Sequence, residues 1–107
     1  MTQEELRAVD AVRLLRALVD QATAECGQDD VAGVTVVPST AAASAAGLVL
    51  NAPRYDAAIE LLLGAEALER DEGANALFAN VAGGEPEHGW AFEITREGLE
   101  LLGRTGT

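Results

Sequence analysis

Residues 90–103, WAFEITREGLELLG, change their apolar period halfway along. Trp90, Phe92 and Ile94 alternate as a half-buried strand does, and Leu99, Leu101 and Leu102 then follow as on one side of a helix. Thr95 stands between them, where a helix cap belongs. A chain that passes from strand to helix across one residue packs a sheet against helices, and with the order of the other elements the expected fold class is α+β.

The remaining elements make it mostly helical. The longest predicted helix covers residues 3–25, with Thr2 as N-cap, Glu4 and Glu5 in the first turn and Gly27 at the stop. At about 100° per residue, Ala8, Ala11, Val12, Leu15, Leu18, Val19 and Ala22 share one arc and are expected to face the core. Asp10, Arg13, Arg16, Asp20 and Gln21 fall opposite, and Leu6, Val9 and Leu14 lie on that polar side. The β-branched run at 34–37, between Gly33 and Pro38, predicts a short strand. A second helix over 40–50, capped by Ser39 or Thr40, meets a third over 53–64 across the three-residue break Asn51-Ala52-Pro53. In the third, Tyr55, Ala58, Ile59 and Leu62 recur at helical spacing and Gly64 marks the end. After an apolar patch at Ala67 and Leu68, two strands are expected at 76–81 and 90–94, joined by the hairpin loop AGGEPEHG. A last helix over 96–102 ends at Gly103. At 107 residues the chain is expected to form one domain, 1–107.

This order of helix, strand, helix-turn-helix, hairpin and C-terminal helix resembles a winged helix domain of the type found in small bacterial proteins. The likeness lies in PRYDAAIELLLGAEALERD followed by WAFEITREGLELL, at Tyr55, Ile59, Leu62, Leu68, Ile94, Thr95, Gly98 and Leu99. It covers most of residues 38–103. It implies that the third helix is a recognition helix and the hairpin a wing, so Arg54, Tyr55 and Arg96 become the candidate nucleic-acid contacts.

Charge opposes that reading. Seven arginines, with no lysine, face eighteen acids, for a net charge of −11, and from Ser39 onward four arginines face eleven acids. Duplex binding draws on roughly 6–10 cationic contacts gathered on one face. Arg54, Arg96 and Arg104 are the arginines that would have to form such a face. So negative a surface favours solubility, or a basic protein partner, and disfavours DNA and anionic membranes. No apolar run approaches the roughly 20 residues of a membrane span, and the acidic N-terminus is unlike a leader, so a cytoplasmic protein is expected.

Nor do the residues suggest an enzyme, and no cofactor is expected. Ser39, Thr40 and Ser44 are explained as caps, and His88, the only imidazole, sits in a Gly-flanked loop with no evident orienting partner. Glu66, Glu69, Asp71 and Glu72 lack the alternating spacing of a calcium loop, and VAGGEPEHG lacks the Gly-Lys-Ser/Thr ending of a phosphate loop. One cysteine and one histidine exclude an internal disulfide and most zinc sites. Cys26 is expected to be an inert, partly buried thiol among acids.

The expected role is therefore non-enzymatic protein association, self-association included, in a regulatory setting, with a DNA-binding regulator as the alternative. A homodimer is expected through the first helix, where Leu6, Val9 and Leu14 form a second apolar strip and Arg13 approaches a partner's carboxylates. Trp90 is expected to cover a core edge or to anchor a partner.

Overall fold

The computed structural model describes residues 2–82 and 88–105. Helix α1 (Gln3–Cys26) begins with a reciprocal cap: the Glu5 N–H donates to the Thr2 hydroxyl at 3.2 Å, and the Thr2 N–H donates to the Glu5 carboxylate at 3.3 Å. After it come β1 (Thr35–Val36), α2 (Thr40–Ala45), α3 (Pro53–Gly64), β2 (Leu68–Arg70), α4 (Glu72–Ala82), β3 (Phe92–Ile94) and α5 (Arg96–Thr105). The three strands form an antiparallel sheet in the order β1-β3-β2. Val36 pairs with Phe92, and Leu68 with Ile94. These four side chains are buried, and they turn one sheet face onto the helices.

The core stripe of α1 is Ala11, Leu14, Leu15, Leu18 and Ala22, packed against α2 and α3. Each buried leucine here contributes about 1.5–3 kcal/mol. Leu14, expected on the surface, is 0% exposed, whereas Ala8 is exposed and Val12 and Val19 are half-buried. The stripe is therefore turned toward Asp10, a residue expected on the outer face but only 2% exposed. Arg54 of α3 reaches across and neutralises this carboxylate, so α1 can bury the side that carries Asp10 and Leu14.

Three other boundaries differ from expectation. Helix α2 stops at Ala45 because Gly47, at φ +77°, turns the chain left-handed. The Gly47 N–H then donates to Ser44 O at 2.9 Å and the Leu48 N–H to Ala43 O at 2.8 Å, so seven residues and not three separate α2 from α3. The expected strand at 76–81 is helix α4, and the strand beside β3 is β2, so no hairpin of 76–81 with 90–94 exists. Helix α5 continues past Gly103 to Thr105.

Thr95 caps α5 as expected. It accepts from the Gly98 N–H at 3.0 Å and donates to Glu66 O at 2.5 Å, joining the α3–β2 connector to the last helix. Gly98 has no substitute there, since a Cβ at that position would collide with the Ala67 carbonyl. Thr95→Ala is expected to cost about 1 kcal/mol and Thr95→Ser less. Leu14→Ala should cost about 2–5 kcal/mol, against much less for Val9→Ala. Urea denaturation reads all four; equal effects at positions 14 and 9 would return Leu14 to the surface.

Candidate functional site

Helix α4 has no counterpart in the expected organisation, and among the described residues it carries the largest group of exposed large apolar side chains. Its start is cut by Asp71, whose carboxylate accepts from the Ala74 N–H at 3.0 Å in the manner of an N-cap. The other carboxylate oxygen accepts from the Thr35 hydroxyl of β1 at 2.6 Å. The Thr35 hydroxyl, followed by the Ala74 N–H, holds the Asp71 carboxyl below its ordinary value.

One turn on, buried Asn75 fastens the helix to the chain entering β3. Its amide nitrogen donates to Asp71 O at 2.9 Å and to Ala91 O at 2.8 Å, and its oxygen accepts from the N–H groups of Ala91 at 3.0 Å and Trp90 at 2.5 Å. All four hydrogen-bonding positions of the amide are used.

Beyond this latch the helix is nearly bare. Leu77 is 65% exposed, Phe78 39% and Val81 83%, and they share a face by their spacing. Trp90, half-buried, borders that face, its ring edge-on to Phe78 at 6.1 Å and 65°. Residues 73–82 include no ionisable side chain, in a chain of net charge −11. The missed signals were the cap residue Asp71 and the 77, 78, 81 spacing, which the apolar run 76–81 masked by reading equally well as a strand.

The expected nucleic-acid residues are not gathered. Arg54 makes a two-pronged contact with Asp10, Nε to Oδ2 at 3.1 Å and Nη2 to Oδ1 at 2.7 Å, which also raises the guanidinium's pKa. Tyr55 is buried in the core, where desolvation pushes its hydroxyl pKa up, and it offers nothing to a groove. Arg96 pairs with a different acid, Asp30, at 3.2 Å on the open surface. The side chain of Arg104 lies outside the described residues, as does most of the expected wing loop, residues 83–87.

The expected dimer strip is broken as well. Leu6 is exposed and lines an open groove with Arg7, Asp10, Pro53, Arg54 and Ala57; Val9 is half-buried, Arg13 is exposed and Leu14 is in the core. Asp10, one of the carboxylates of α1, is occupied by Arg54 within the same chain. Ser39 caps α2 through the Ala42 N–H at 3.0 Å. Cys26 is exposed and not partly buried, because it ends α1 on the open side. Among the described residues no group of three or more His, Cys, Asp or Glu is placed to hold a metal ion, and no helix is long and apolar enough to cross a membrane.

No protein-family model matches the chain, and no curated protein or solved structure matches it either.

Asn75→Ala is expected to cost about 1–3 kcal/mol, because it strands buried N–H and C=O groups. The lowered Asp71 pKa stabilises the fold fully above the unfolded value of about 3.9, and that stabilisation is lost as pH falls through the folded value. Asp71→Asn should therefore flatten the fall of the urea midpoint as the pH is lowered through and below about 3.9. An unchanged slope would remove Asp71 from the linkage.

Proposed function

We propose that the chain is a non-enzymatic protein-association module on a winged-helix scaffold, working in a regulatory, cytoplasmic setting. The scaffold reading is supported by the succession α1, β1, α2, α3, β2, then β3 and α5, and by the antiparallel order β1-β3-β2, in which the last strand returns between the first two. In a winged helix the excursion between the second and third strands is the wing; in this chain that excursion opens with α4.

The observation that carries association is the uncharged apolar face of Leu77, Phe78 and Val81. Exposed apolar patches rimmed by polar surface mark contact sites. The second reading, duplex binding, draws support from the scaffold alone: the outward side of α3 presents Glu60 and Leu61, and its one arginine is engaged with Asp10.

A photo-crosslinking amino acid at position 81 of the intact chain, irradiated in cells that express it, is expected to give protein adducts of discrete mass. Nucleic-acid adducts, or none, overturn association through α4. Fluorescence anisotropy with a random duplex and a selected-sequence pool at about 150 mM salt should show no binding; tight, salt-sensitive binding would restore the DNA reading.

A further inference from the structure

We propose that α4 is a hinged flap: it undocks and unwinds while the rest of the fold stays closed, and the Asn75 side chain is the latch that holds it shut. The opening belongs to the helix itself and does not rest on any partner for its outer face.

The first argument is where the core ends. Its buried apolar side chains come from α1, β1, α2, α3, β2, β3, α5 and the connectors between them, and none comes from residues 71–90. Among the described side chains of α4, the polar Asn75 is the only one buried. The helix can therefore leave without carrying a buried apolar side chain of its own into water. Shared apolar burial is what makes elements open together, and segments that lack it open separately. Helix α5 gives the contrast: it is joined to the α3–β2 connector by Thr95, but it also sets Leu102 into the core.

The second argument is what holds the helix. Helices shorter than about 12–15 residues are marginal on their own, and α4 has 11 residues with Gly73 in its first turn. Asp71 belongs to the body of the protein, since its N–H donates to Ala91 O at 3.1 Å and its carboxylate accepts from Thr35. The hinge follows it, at Glu72 and Gly73. Past that point the printed polar ties to the body are those of the Asn75 amide to Trp90 and Ala91. Once the amide withdraws, water reaches those groups and replaces its bonds, so release costs far less than leaving them buried and unpaired. Closed, the flap sets Phe78 against Trp90; open, it parts them. Anything that touches Trp90 and α4 together selects the closed state.

Native-state amide hydrogen exchange of the intact chain, followed in urea below the unfolding transition, tests this directly. Residues 76–82 should exchange at least about tenfold faster than the slowest amides of α1 and α3, with little dependence on urea, whereas those slowest amides should accelerate with it. Ala76→Gly, at an exposed position of α4, should speed exchange of 76–82 by about fivefold and leave α1 and α3 unchanged. Asn75→Ala should speed exchange of the same segment by at least about fivefold, again without effect on α1 and α3. Trp90, the only tryptophan, should become more accessible to acrylamide in that variant. Exchange of 76–82 that rises with urea in step with α1 and α3 overturns the proposal, because α4 would then open only with the whole fold. An Asn75→Ala chain that fails to fold overturns it too, and so does an unprotected α4 in the unaltered chain, where the latch would hold nothing.

Discussion

Burial of one aliphatic stripe on α1 is the contact around which the other elements are arranged. Aromatic residues make up 4% of the chain, so the interior has to be closed with leucine, valine, isoleucine and alanine. Such side chains fill space only when backbones come close. The alanines of α2 against α1 and the approach of Gly98 to the Ala67 carbonyl both follow from that constraint. So does the burial of Asp10. Turning α1 far enough to bury Leu14 brings a carboxylate inside with it, and α3 supplies a guanidinium in the matching geometry.

The same economy leaves the sheet small. Strands of two or three residues cannot hold three segments together by ladder bonds alone. Side chains complete the joints: Thr35 reaches Asp71, Asn75 reaches Ala91, and Thr95 reaches Glu66. Each joint ties an end of β1, β2 or β3 to a helix terminus. The polar contacts are therefore concentrated where the chain changes from one kind of element to another.

Much of the scaffold was legible in the sequence. The Thr2 and Gly27 termini of α1, the Tyr55, Ala58, Ile59 and Leu62 stripe of α3, and the Thr95 cap are local signals, set within one or two turns of chain. The failures came where a distant residue decides. The facing of α1 depends on Arg54, which lies 44 positions from Asp10. Gly47 had the chemistry of a helix end, but the alanines before it and the leucines after it made a longer helix look continuous. For 76–81, apolar content alone does not separate strand from helix. The cap at Asp71 did, and it stood five residues upstream of the run. The candidate site lay within that misread segment, so its exposed face was not visible until the helix was.

The Asn75 latch separates two kinds of information in α4. Attachment is written in Asp71 and Asn75, which reach Thr35 of β1 and the chain entering β3. Leu77 and Val81 point away and touch little of it. Replacing them changes the chemistry of that outward face without disturbing how the helix is held, so positions 77 and 81 are released from the packing constraints that bind Asp71 and Asn75.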